Sequence, residues 1–130
     1  MPEFEGVIPI LRVNNLAVSL DYYLNKLGFH KNWEWPYFAS VSRGKASIFL
    51  CQGGQGMPGT WMSIFMDEVG PLYKEYKKSG AIIVEPPMNF PWGHCEFLVG
   101  DPDGHRLRMS GKRTGPDSEG YQHTERSRAT

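Results

Sequence analysis

Apolar side chains at Leu16, Leu20, Tyr23, Leu24 and Leu27 recur at spacings that place them on one face of a helix. Asn15 precedes them as an N-cap candidate, and Gly28 follows as a stop. A second helix is predicted to open near Asp67, with Pro71 in its first turn, where a missing N–H is harmless. Its Leu72 and Tyr76 face inward, Lys74, Lys77 and Lys78 face water, and Gly80 closes it. The remaining apolar runs are short and read as strands. Val7 to Val13 is one. Tyr37 to Val41 and Ala46 to Cys51 flank a Ser42-Arg43-Gly44-Lys45 turn. Trp61 to Met66 and Ala81 to Val84 follow. Cys95 to Val99 and His105 to Met109 flank the tight-turn sequence Asp101-Pro102-Asp103-Gly104.

The order is strand, helix, strands, and then the same again. Asn15 and Asp67 lie 52 residues apart, as do Gly28 and Gly80, so the self-similarity falls where backbone geometry is demanding. This predicts an α+β fold of two βαβββ repeats, about 5–52 and about 59–111, forming a curved mixed sheet around a cleft with helices on its outer face. Residues 1–111 are expected to form one domain. Residues 112–130 carry almost no apolar side chains and are expected to form a mobile polar tail. Gly53-Gly54-Gln55-Gly56 reads as a linker between the halves.

Strand alternation identifies the cleft. Leu107 and Met109 suit the helix-covered side, which turns Arg106 and Arg108 toward the cleft. Ile48 and Leu50 likewise turn Ser47, Phe49 and Cys51 inward, and Met62, Ile64 and Met66 turn Trp61, Ser63 and Phe65 inward. The expected lining is Ile8, Phe49, Trp61 and Arg108. Trp33, Trp35, Tyr37, Phe38, Phe90 and Trp92 fall on strand ends or loops and are expected at the rim.

Composition narrows the function. The 14 basic and 14 acidic side chains cancel, which excludes the broad basic footprint of a non-specific nucleic-acid binder. No apolar run approaches the roughly 20 residues that span a bilayer. The first residues show no basic-then-apolar leader, and two cysteines make no disulfide framework, so a cytoplasmic location is the expectation. The excess is aromatic, at 13% with four tryptophans. No nucleophile–base pair and no phosphate-binding glycine loop is visible.

The segments Ile8-Pro9-Ile10-Leu11, Ser19-Leu20-Asp21-Tyr22-Tyr23, Leu27-Gly28-Phe29, Pro91-Trp92-Gly93 with Glu96-Phe97, and Asp101-Pro102-Asp103-Gly104 together resemble the vicinal oxygen chelate superfamily. That superfamily includes glyoxalase I, extradiol dioxygenases, and fosfomycin- and bleomycin-resistance proteins. Its metal-dependent members place His and Glu ligands at positions that correspond here to Ile8, Phe49, Trp61 and Arg108. None of these offers a metal a lone pair. The pattern is closest to the bleomycin-resistance branch. The resemblance implies a metal-free, cofactor-free homodimer that sequesters a bleomycin-like aromatic antibiotic and confers resistance without catalysis. Its clefts would lie at the dimer interface, with the first strand often exchanged about Pro9. The implied ligand-binding residues are Trp33, Trp35, Phe38, Phe49, Trp61, Trp92, Gly93 and Arg108. The alternative is an enzyme of the same superfamily with a non-standard active site that uses His94, Glu96 or Arg108.

Simpler readings compete at several positions. Arg108 is either a ligand clamp or the partner of Glu96 or of a carboxylate on a second chain. Arg106 and His105 are expected to be solvated. Asp101 and Asp103 are expected to serve as turn acceptors. His94 and Glu96 share a face, but two ligands do not make a metal site.

Overall fold

The expected duplication is realised as two copies of one strand order. The computed structural model describes residues 2–113. The first copy contains β1 (Ile10–Val13), α1 (Leu16–Asp21), a π-helical turn (Tyr22–Lys26), β2 (His30–Trp35), β3 (Phe38–Arg43) and β4 (Ala46–Gln52). The second contains β5 (Trp61–Phe65), α2 (Gly70–Ser79), β6 (Ile82–Asn89), β7 (His94–Gly100) and β8 (Arg106–Lys112). Their sheets run β1-β4-β3-β2 and β5-β8-β7-β6. The single curved sheet expected from sequence is therefore two four-stranded sheets. In each, the first strand pairs in parallel with the last strand of its own repeat, so the ladders close within repeats.

Local chemistry explains the boundaries. The Asn15 side chain caps α1 by accepting the Val18 N–H. Gly28 and Gly80 both adopt left-handed backbone, at φ 73° and 85°, and there a side chain would be strained. β1 is shorter than the expected Val7–Val13, because Pro9 has no N–H and joins the ladder only through its carbonyl, which accepts the Phe49 N–H. β6 is longer than expected. It tolerates Pro86 and Pro87 because it is an edge strand with bulges. β8 continues through Lys112, whose N–H donates to the Asp67 carbonyl. The rest of the expected tail, residues 114–130, lies outside the described residues.

The single helix expected from Leu16 to Leu27 changes pitch at Tyr22. The wider turn lets two adjacent tyrosines, Tyr22 and Tyr23, both point into the core. Tyr22 donates to the Gly100 carbonyl and accepts the Ile82 N–H, and Tyr23 donates to Asp101. All three bonds join repeat one to repeat two. Burial pushes the Tyr22 phenol up to about 12 and holds Tyr23 well above its ordinary value, where the nearby Asp101 charge adds to the effect. The apolar core lies on the helix side of both sheets and includes Leu11, Val41, Ile48, Leu50, Phe97, Leu107 and Met109.

Two expectations about polar residues fare differently. Asp101 and Asp103 are turn acceptors, and more. Asp101 also receives Tyr23, and Asp103 receives the Asn14 N–H and the Ser19 hydroxyl from repeat one. His105 is not solvated but completely buried. Its Nδ1 accepts the Thr60 N–H, so Nε2 carries the proton and donates to the Arg12 carbonyl.

Candidate functional site

Each sheet has one face packed under its helix and one uncovered face, and the candidate residues sort onto the uncovered faces. On the first sheet, Ile10 opposes Phe49, Ser40 opposes Phe49, and Phe38 opposes Cys51. Trp33 and Trp35 reach the same face through a bulge between Lys31 and Trp33 in β2. Without that extra residue the register would slip by one and Trp33 would oppose Ala39, which faces the core. Asn32 holds the bulge in place. Its amide donates to the Ser40 hydroxyl and its carbonyl accepts from Ser42.

The result is a continuous aromatic wall. Trp33 lies 5.3 Å from Phe49, 5.5 Å from Phe38 and 6.1 Å from Trp35, and Phe38 lies 5.3 Å from Phe49. The rings are tilted or edge-on, so several faces remain open to a further ring. Trp35 is 68% exposed. The structure thus brings Trp33, Trp35, Phe38 and Phe49 together. Of the residues expected on strand ends or loops, Trp35 ends β2 and Trp33 lies inside it.

The second sheet carries Trp61 and Arg108. Trp61 opposes Arg106, and Ser63 opposes Arg108. Ile8 lies two residues before Ile10, the partner of Phe49, so Ile8 and Phe49 repeat the diagonal relation of Trp61 and Arg108. These are the four corners expected from sequence, and the backbone geometry makes them equivalent. The Arg108 guanidinium donates to Glu96 at 2.8 Å, which supports the ion-pair reading for that bond. Glu96 is almost fully buried and also accepts from Ser110, whose oxygen lies 2.8 Å from His94 Nδ1. Because the Ser110 hydroxyl gives its proton to Glu96, His94 is the donor in that last contact.

Trp92 and Gly93 occupy the turn between β6 and β7. Trp92 stacks on Phe90 with centroids 4.5 Å apart and planes within 10°. Phe90, expected at the rim, is buried beneath it. Gly93 takes φ 91°, so the turn itself accounts for that glycine.

The donor set does not suit a metal. Ile8 and Phe49 have no lone pair, indole N–H is a donor only, and Arg108 is a fixed cation already bonded to Glu96. Among the described residues no group of three or more His, Cys, Asp or Glu is placed to hold an ion. A groove of about 960 Å³ opens on the helix side between the repeats, lined in part by Ile48, Met62, Ile64 and Leu72, and none of the eight candidate ligand residues lines it. The aromatic wall is open to solvent at Trp33 and Trp35 in the single chain. Among the described residues, no helix is long and apolar enough to cross a membrane.

Residues 7–109 match the family described as the glyoxalase/bleomycin resistance protein/dioxygenase superfamily, and the chain belongs to it. Among solved structures, the chain is similar to TioX from Micromonospora sp. ML1, with TM-score 0.76 and 19% identity over 84% of this chain and 99% of that one. It is also similar to the bleomycin-binding protein of bleomycin-producing Streptomyces verticillus, solved with copper(II)-bleomycin, with TM-score 0.74 and 22% identity over 87% of this chain and 100% of that one. A bleomycin resistance determinant encoded on transposon Tn5 matches with TM-score 0.73 and 19% identity, over 85% of this chain and 100% of that one. At these identities the likeness is one of fold. No curated protein sequence matches the chain.

Proposed function

We propose that the protein binds and sequesters a planar aromatic small molecule without transforming it, in a cleft completed by a second copy of the chain. One observation carries this reading: the wall of Trp33, Trp35, Phe38 and Phe49 on an uncovered sheet face, with Phe49 at a corner where metal-dependent members of the superfamily hold a ligand. Flat rings stacked on such a wall gain on the order of 1 kcal/mol each beyond simple burial. Rigid aromatic walls also lose little side-chain entropy on binding. Pairing two copies would bring the open wall of one sheet against the Trp61–Arg108 face of another and exclude water from both. Bleomycin binding by a structural neighbour makes a bleomycin-like antibiotic the specific guest proposed, with resistance as the outcome and the cytoplasm as the setting.

Titration with bleomycin tests the proposal. Saturable quenching of tryptophan fluorescence is expected at one guest per cleft, with the mass of the recovered drug unchanged. Absence of quenching at micromolar drug, with the dimer intact, contradicts the antibiotic assignment. A changed mass favours the enzyme reading.

A further inference from the structure

The aromatic wall says nothing about the charge of the guest, but the opposite sheet does. Arg106 was expected to be solvated, yet it is half-buried on the uncovered face of β8, directly beside Trp61. Its guanidinium lies across Gly100. A Cβ at that glycine would stand 2.9 Å from Arg106 Nη1, 3.3 Å from Val84 Cγ2 and 3.4 Å from Ile82 Cγ2. The missing side chain of Gly100 makes the trough in which the guanidinium rests.

The two arginines differ in one respect. Arg108 is neutralised by Glu96 at 2.8 Å. Arg106 has no hydrogen-bond or ion-pair partner among the described residues, so its side-chain N–H groups have no protein acceptor there. A guanidinium partly withdrawn from water, with its planar fork unused, matches a carboxylate or a similar oxyanion. The rest of the face does not cancel this charge. Lys112 lies on the same face of β8 and His94 opposite it on β7, while the acids are Glu96, already engaged, and Glu85 at the register position of Leu98. On the first sheet the charged or titratable residues in register with the aromatic wall are Arg12, His30 and the Cys51 thiol, with no carboxylate among them.

We infer that Arg106 and Trp61 form an anion subsite and that the preferred guest is a planar aromatic carrying a carboxylate or equivalent oxyanion on its ring. The inference rests on the aromatic-cleft reading and sets a charge preference within that class of guests. The ring lies against Trp61 and the oxyanion bonds the Arg106 fork. A cationic substituent at that point meets like charge.

The test compares three probes of one shape by saturation-transfer NMR and calorimetry on the full-length protein: 2-naphthoate, neutral 2-naphthamide and 2-naphthylmethylamine. Naphthoate is expected to bind at least tenfold tighter than the amine, with the amide between them and the naphthoate advantage shrinking in high salt. Arg106→Gln should remove most of that advantage while leaving amide binding within about twofold. Gly100→Ala supplies a second variant, because its methyl displaces chiefly the flexible end of Arg106, with Val84 Cγ2 yielding slightly at 3.3 Å, and it should reduce naphthoate binding in the same way. Arg108→Gln should change the preference less than Arg106→Gln does. Equal binding of all three probes, or preference for the amine, overturns the inference and leaves the aromatic cleft standing. Failure of all three to bind overturns the cleft reading and the inference with it.

Discussion

Replacing Asp101 with alanine is expected to cost about 3 kcal/mol of folding stability. The side chain is 4% exposed and receives three hydrogen bonds, from the Tyr23 hydroxyl and from the N–H groups of Asp103 and His105. Alanine leaves all three donors without that acceptor in a site with little access to water. It also unties the β7–β8 turn from repeat one, since Asp103 on the same turn accepts from Asn14 and Ser19. Tyr23→Phe removes one of the three donors and keeps the acceptor, so its loss should be about 1 kcal/mol. Urea unfolding monitored by far-ultraviolet circular dichroism gives both values. A loss below about 1 kcal/mol for Asp101→Ala would show that the turn does not fasten the repeats together.

Removing the centre of the aromatic wall should act on binding in preference to folding. Trp33 touches Trp35, Phe38 and Phe49, yet it lies on an edge strand whose six residues are all exposed. Trp33→Ala is therefore expected to weaken binding of a flat guest, whether bleomycin or 2-naphthamide, by tenfold or more. That corresponds to about 1.4 kcal/mol, in the range of an interface hot spot. The urea midpoint should fall by less than the affinity does, because Trp33 lies on an edge strand and stays 36% exposed in the single chain. Calorimetry measures the affinity independently of tryptophan emission. Unchanged affinity with a large fall in midpoint would assign Trp33 to fold support instead.

Much of this arrangement is legible in the chain, for identifiable reasons. Alternation in Arg106 to Met109 separates the core side chains Leu107 and Met109 from the two arginines, and the structure keeps that division. The same alternation extended back by two residues reaches His105, which shares the parity of Leu107. Alternation therefore signals its burial, and the adjacent Asp101–Gly104 turn masks that signal. β2 offered no such signal. His30-Lys31-Asn32-Trp33-Glu34-Trp35 has no buried face, and its strand form comes from pairing with β3. The bulge that turns Trp33 toward Phe49 depends on the Asn32 contacts to Ser40 and Ser42, which join residues eight and ten positions apart. No periodicity records them. The change of helical pitch at Tyr22 is likewise decided by partners far along the chain, Gly100 and Asp101.

Arg108 and Arg106 show where pattern reading stops. Alternation puts both on one face, but only the structure shows that Glu96 occupies the first and leaves the second without a protein acceptor among the described residues. The distinction rests on the depth of Glu96 and the trough at Gly100, and both depend on packing.

Elemental analysis of the purified protein, after incubation with zinc, manganese, nickel and iron(II) and exhaustive dialysis, tests whether the corners Ile8, Phe49, Trp61 and Arg108 grip a guest with rings and a guanidinium rather than with a cation. Well under one-tenth of a metal ion per chain is expected, with binding of a flat aromatic guest unaffected by chelator. One firmly held ion per chain, lost on mutation of a residue in the cleft and needed for guest binding, would contradict it.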